Sequence, residues 1–454
     1  MKKLLLSLFL AAGLGAQAQA TYWQEVSTGF STTSTTQGQI SYAPGGGGDV
    51  VWTYGAAGDG SGDYYQIWGR SLDGGLTWTT GAINLGSADL VIGSIHAMSA
   101  TTAYVSVWPN GSLQGGIWVT TNSGATWTKQ PTALFNDGLI SFANLVYFWD
   151  NNNGVCQGDP ANGYFEIYTT TNGGTNWVRV PQGNIPMHQV DEYGYTHNFE
   201  IFGDTIWFGT NQGRIYRSNN RGVNWVWAAQ SPISDFGGAA QSGSYAMKNG
   251  TDGLLISSDW QFFRTTDGGQ TWNAEFPGGE YYRNFDIAFV PGTDNTYVVT
   301  GVDIDEVGRG SSFSLDGGLN WTDINNIDPD PVDGGGSLEF YDCTHGLASG
   351  FTTSSTVGGI WYNLFDWCST SATKDFAAQG FTAVPNPTSG ALEISGKDIA
   401  NVAVYDILGK EVMNSNFGSL NTVNINLGSL NAGVYMVKVT TAAGASSTTK
   451  VVKQ

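Results

Sequence analysis

Charged side chains are scarce in this 454-residue chain, at 12% against about 25% in ordinary globular proteins. The shortage is worst on the positive side, where 18 Lys and Arg face 38 Asp and Glu. Helical bundles, coiled coils and doubly wound α/β enzymes need Leu/Ala/Glu/Lys-rich helices, and that mixture is missing. Cysteine is nearly absent: Cys156, Cys343 and Cys368 are the whole complement, and their spacing fits no zinc site. Beyond the first twenty residues no apolar run approaches the roughly 20 residues of a bilayer span. The net charge of −20 repels phosphate backbones and anionic lipid, which excludes nucleic acid and membrane surfaces as partners. Cations, divalent metals and neutral glycans remain compatible. What the chain does have is glycine (64), tryptophan (17) and 41% hydrophobic residues. That is enough for a core and suited to short strands joined by tight turns.

Residues 1–20 read as a secretory signal. Lys2 and Lys3 precede the apolar Leu4–Leu14, and Ala18-Gln19-Ala20 offers a small-x-small cleavage site before Thr21. Without the two lysines the net charge is −22. Residues 21–380 carry 11 Lys and Arg against 34 acids, whereas 381–454 carry 5 Lys against 4. An exported chain permits one disulfide. Cys343 and Cys368 are the candidate pair, with three buried thiols as the alternative.

One short pattern occurs six times. SLDGGLTW, TTNSGATW, TTNGGTNW, SNNRGVNW, TTDGGQTW and SLDGGLNW end at Trp78, Trp127, Trp177, Trp225, Trp272 and Trp321. Their third positions, Asp73, Asn122, Asn172, Asn220, Asp267 and Asp316, lie 49, 50, 48, 47 and 49 residues apart. A period near fifty suits one four-stranded propeller blade. Chemically the pattern is a hairpin turn. The Asp or Asn accepts hydrogen bonds from turn N–H groups, Gly supplies positive φ, and the Trp opens the next strand and wedges against the neighbouring sheet. A seventh blade is expected from Gly358-Gly359-Ile360-Trp361, which repeats Gly115-Gly116-Ile117-Trp118 without a following turn. Its missing outer strand is supplied by Thr21–Val26, so the two ends of the propeller segment close the ring. Six blades with 340–367 as an extra hairpin is the alternative.

These turns resemble the Asp-box (BNR) repeat of bacterial sialidases, xyloglucanases, sortilin-type receptors and photosystem assembly-factor propellers. The resemblance implies an all-β fold, a seven-bladed β-propeller over residues 21–367, with ligands bound on the face away from the boxes. It implies no particular activity. A sialidase would need three clamping Arg, but Arg70, Arg217 and Arg264 sit beside the boxes, and the family's N-terminal Arg-Ile-Pro is absent.

Residues 368–380 read as a linker, and 381–454 as a small Ig-like β-sandwich of short alternating strands. The latter closely resembles the type A C-terminal sorting domain of the Bacteroidetes type IX secretion system. The matching residues are Pro385-Asn386-Pro387 and Gly390, YDILGKEV at 405–412, LNAGVYMVKV with Gly433 and Tyr435, and the closing Lys450 and Lys453. The resemblance implies Sec export, outer-membrane passage by the type IX machinery, removal of this domain, and a secreted or cell-surface product.

The loops that follow each box Trp are where a ligand is expected. Glu192, Tyr193, Tyr195, Glu280, Tyr281 and Arg283 form the candidate set, because aromatic plates with carboxylates bind sugar rings and paired carboxylates can hydrolyse them. The expected role is a monomeric, non-catalytic glycan- or protein-binding module; a glycan-acting hydrolase or lyase is the alternative. His188, Asp191, Glu192 and His197 match no metal signature, and no cofactor is expected. The loops Asp303–Glu306 and Asp328–Asp333 are oxygen-rich enough for calcium. No nucleophile motif or phosphate-cradling loop is present.

Overall fold

The computed structural model describes residues 22–454 apart from 59–60, 112, 136–140, 280–284, 302–309, 325–337, 371–375, 377–379, 407–409 and 443–445. The signal segment 1–20 and both calcium-candidate loops lie outside the described residues. The chain divides into two compact units. One runs to Pro291 and resumes over Tyr297–Phe365; the other takes Gly292–Thr296 and Asp366–Gln454.

Among the described residues the first unit is built from seven sheets, six of them around an antiparallel run of four consecutive strands. Blade one is Thr35–Tyr42, Val51–Ala57, Ile67–Ser71 and Thr79–Ala82, and blades two to six repeat that order. Blade six gains a short fifth strand, Gly278–Gly279, lying parallel to its outer strand Asn320–Asp323. Blade seven is composite. Leu338–Phe340, Gly346–Ser354 and Val357–Asn363 take Trp23–Ser27 as their outer strand, with Trp23 opposite Asn363 and Ser27 opposite Gly359. The innermost strand of each blade packs on that of the next, and blade seven returns to blade one. The ring therefore has seven blades rather than six.

All six turns share one hydrogen-bond scheme. The leading Ser or Thr hydroxyl donates to Oδ1 of the Asp or Asn two residues on, at 2.7–3.1 Å. The same hydroxyl accepts from a Gly N–H at 2.8–3.0 Å. Oδ1 then accepts from the backbone N–H four residues on, at 2.8–2.9 Å. Only an acceptor oxygen is required, so Asn122, Asn172 and Asn220 serve where three copies have Asp. Gly75 shows why glycine recurs: its φ is +112°, and a Cβ there would lie 2.6 Å from Leu347 of blade seven.

The core lies between blades. Trp127 joins Trp52 and Trp68 of the preceding blade; Trp177 joins Tyr104 and Phe148; Trp225 joins Phe165 and Phe208; Trp321 joins Phe262. Each wedges into the interface behind its own blade. Cys156 is a buried free thiol in the cluster between blades two and three, while Cys343 and Cys368 are disulfide-bonded.

In the second unit the long strands Ala391–Tyr405 and Glu411–Asn426 run antiparallel. Thr382–Val384 pairs with the first half of Ala391–Tyr405, and Gly433–Thr441 with the second half, extended by Ser446–Lys453. The two halves enclose Leu392, Ile394, Val402, Val404, Val437 and Val451, which fits a β-sandwich. Phe376, inside the stretch expected as a linker, is buried in this core beside Phe381. Of the sorting-motif residues, Asn386 fixes the last strand. Its Oδ1 accepts from Val452 N–H at 2.9 Å and its Nδ2 donates to the Lys450 carbonyl at 2.7 Å.

Candidate functional site

In each blade the first strand starts, and the second ends, on the face opposite the six turns. On that face blades one to four enclose a cavity of about 540 Å³. Blade one contributes Tyr54 and, from the loop after its second strand, Asp63, Tyr64 and Tyr65. Blade two adds Val91, Ile92 and Trp108; Phe142 and blade three's Asn144 and Asp159 follow; blade four supplies Tyr193 to His197. Trp108 stacks on Phe142 with centroids 4.5 Å apart, and Tyr64 meets the same indole edge-on at 5.3 Å. Tyr193 and Tyr195 form a second edge-on pair at 5.5 Å.

The floor is polar and tightly fitted. Asp159 Oδ1 accepts from Asn144 Nδ2 at 2.8 Å and from Gly194 N–H at 3.0 Å. Asn144 Oδ1 and Gln157 Oε1 are buried without a donor among the described residues, an arrangement that native structures seldom leave unused. Gly194 permits this packing, since a Cβ there would lie 2.9 Å from Gln157 Nε2 and 3.0 Å from Asn144 Nδ2. Burial pushes the Asp159 carboxyl up to about 7, against the lowering effect of its two hydrogen bonds. Across the ring axis, Tyr54 and His197 join hydroxyl to Nε2 at 2.7 Å. Enclosure lowers the His197 imidazole to about 4, so the ring is neutral at pH 7.

Three further carboxyls sit on innermost strands: Glu200 of blade four, Asp286 of blade six and Glu339 of blade seven. Burial raises all three; Asp286 adds to the rise at Glu339, and both add to it at Glu200. Asp286 reaches about 6 and Glu339 about 8, and Glu200 is held well above its ordinary value. Asp286 is hydrogen-bonded by Ser244 at 2.6 Å and Leu338 N–H at 2.9 Å.

Of the sequence candidates, Tyr193 and Tyr195 line the cavity, and Tyr195 donates to Asp235 at 2.5 Å. Glu192 does not. Its side chain is fully buried, with Oε2 2.8 Å from Arg214 Nη1 and accepting from Gln189 N–H and the Tyr216 hydroxyl, while Oε1 accepts from Thr210. It staples the loop before blade four instead of facing a ligand. Glu280, Tyr281 and Arg283 lie outside the described residues. His188 bonds the Gln189 carbonyl while His197 bonds Tyr54, so the two histidines are committed separately. Sequence reasoning missed Tyr54, Asp63, Tyr64, Tyr65, Trp108, Phe142, Asn144 and Asp159. The loop carrying Asp63-Tyr64-Tyr65 was the available signal, being longer and more aromatic than the turns around it.

Residues 382–454 match the family described as the secretion system C-terminal sorting domain. The chain is 25% identical over 219 residues to xyloglucanase Xgh74A of Acetivibrio thermocellus, which covers 39% of this chain and 25% of that protein. It is likewise 25% identical over 291 residues to a xyloglucanase of Hypocrea jecorina, covering 59% of this chain and 29% of that protein. The chain thus spans about a quarter of the length of the curated relatives it matches. YCF48 from Cyanidioschyzon merolae shares the fold, with a TM-score of 0.50 at 13% identity over 76% of this chain and 98% of that one. The sorting domain marks the chain for export by type IX secretion to the cell surface or medium.

Proposed function

We propose that this exported propeller binds a carbohydrate in the cavity shared by blades one to four. The carrying observation is that cavity itself: about 540 Å³ walled by aromatic rings over a floor of amide and carboxyl groups. Sugar rings present apolar faces that stack on aromatic side chains and hydroxyls that seek fixed polar partners, and the volume falls in the range of about 300–1,000 Å³ typical of small-ligand sites. The similarity to xyloglucanases supports a glycan-related role. The domain plan behind this reading is a signal over 1–20, a propeller to 367 and a sorting domain over 381–454.

The second reading is a glycan-acting hydrolase. Asp159 favours it, because a carboxyl near 7 keeps a proton to donate at neutral pH, and Asp63 lines the same cavity. A glycan array paired with a hydrolysis screen on the full chain separates the two. Binding without turnover, lost in Trp108→Ala, supports recognition alone. Turnover abolished by Asp159→Asn transfers the assignment to catalysis. No glycan retained by the wild-type chain overturns both.

A further inference from the structure

We infer that the cavity selects an amine-bearing glycan, an amino sugar whose ammonium lies among the aromatic rings beside Asp63 and Asp159. This rests on the carbohydrate reading above and adds the charge of the ligand.

Among the described residues the lining contains two carboxyls and no Lys or Arg. His197 is its sole other nitrogen base, and that ring is tied to Tyr54. Uronic, sialic and sulfated sugars would therefore enter with no cation to receive them, at the full cost of desolvating an unpaired charge. An ammonium meets the opposite reception. Aromatic faces attract cations through their quadrupoles, most strongly where water is excluded. Trp108, Tyr64 and the Tyr193–Tyr195 pair supply such rings on two sides of the cavity.

The floor adds an independent contribution. Asn144, which lines the cavity, and Gln157 behind it carry carbonyl-type oxygens, Oδ1 and Oε1, that are buried and have no donor among the described residues. Two uncompensated acceptor dipoles make the potential above them negative. Asp159 deepens it, since both of its hydrogen bonds fall on Oδ1 and leave Oδ2 uncommitted. A neutral hydroxyl answers part of this demand. An ammonium, positive as well as a donor, gains from this potential even without touching the two buried oxygens. N-acetylation would remove the charge, so the inference distinguishes an amino sugar from its acetylated form. The acidic body, with 34 acids against 11 cations over residues 21–380, steers cations toward any face.

The test compares three soluble oligosaccharides of equal length: β-1,4-linked glucosamine, N-acetylglucosamine and glucose. Calorimetry on the full chain at about pH 7.5, above the point where Asp159 gives up its proton and just below the ordinary α-amino range, measures each at low and high salt. The expected result is that the glucosamine oligomer binds at least tenfold tighter than the other two and that salt narrows the gap. Asp159→Asn and Asp63→Asn should each cut the preference to about threefold or less. Asp63 is exposed, so its variant folds even if the other does not. Equal affinity for all three sugars overturns the amine inference and leaves carbohydrate binding standing. Failure of all three to bind overturns both. An amine preference untouched by either substitution removes the preference from this cavity and overturns the inference.

Discussion

Tyr54 and His197 lie 143 residues apart in sequence and meet across the axis of the ring, the tyrosine hydroxyl 2.7 Å from His197 Nε2. Their rings stack with centroids 6.1 Å apart. Blade one and blade four are thereby tied directly, without an intervening blade.

Burial at this contact keeps the imidazole neutral. Enclosure lowers His197 to about 4, so the folded protein resists a proton that the unfolded chain accepts near 6.5, and stability falls as pH drops below that value. NMR titration of the His197 ring should show its midpoint near 4. Tyr54→Phe should cost about 1 kcal/mol in denaturant unfolding. A midpoint near 6.5 in the wild type would contradict the enclosed geometry.

The raised carboxyls act over a different pH window. Asp159, Asp286 and Glu339 hold their protons to about 7, 6 and 8 in the folded ring, whereas unfolded carboxyls release theirs near 4. Between those limits these three groups bind more protons in the folded state, so their contribution to stability declines from about pH 4 to about pH 8, against the smaller His197 term below 6.5. Asp159→Asn should leave stability at pH 4 unchanged and raise it by about 2 kcal/mol at pH 8. Thermal melts across that range check it; a wild type growing steadily more stable toward pH 8 would refute the assignment.

Glu192 is a structural ion-pair partner. Removing one member of a buried pair strands the other, at a typical cost of about 3–5 kcal/mol. Because Arg214 keeps 11% of its side-chain surface, Glu192→Gln should cost toward the lower end, about 3 kcal/mol. Urea unfolding measures this; an unchanged midpoint would return Glu192 to the list of surface groups.

The turn tryptophans divide by burial. Trp127 is 8% exposed and wedged edge-on against Trp52 at 6.3 Å, so Trp127→Ala should cost about 3–5 kcal/mol. Trp78 is half-buried and bonds only its own turn, Nε1 to the Gly75 carbonyl at 2.8 Å; Trp78→Ala should cost less. Neither should change glycan affinity of the folded fraction. A specific loss of binding in Trp127→Ala would place recognition on the turn face.

Much of the architecture was legible because its signals are local. A Ser or Thr, an acceptor two residues later, glycines and a Trp make a turn wherever they occur in that order, and copies about fifty residues apart count blades. Ring closure was legible too, since Trp23 and Trp361 each lacked a neighbour that the other's segment supplied. The site was legible only in part. Tyr193 and Tyr195 stood out as aromatics in a long loop, but Glu192 beside them carries the same chemistry and points the other way, toward Arg214. Nothing in the order of residues distinguishes the two orientations; the pairing of Gly194 with Thr210 at the head of blade four does.

The sequence alone determined the repeat, the turn chemistry and the export route, because each depends on residues within one period or one short module, whereas the pairing of Trp23–Ser27 with Val357–Asn363 decided seven blades over six. The tertiary structure decided the cavity. Tyr54, Trp108, Asp159 and His197 come from four successive blades, and each blade is turned about a common axis. Residues on the two inner strands of each blade therefore converge toward the axis although sequence spacing keeps them dozens of residues apart. Convergence also decides their chemistry: the same Asp159 that would be an ordinary anion on an isolated strand keeps its proton to about 7 because neighbouring blades exclude water from it.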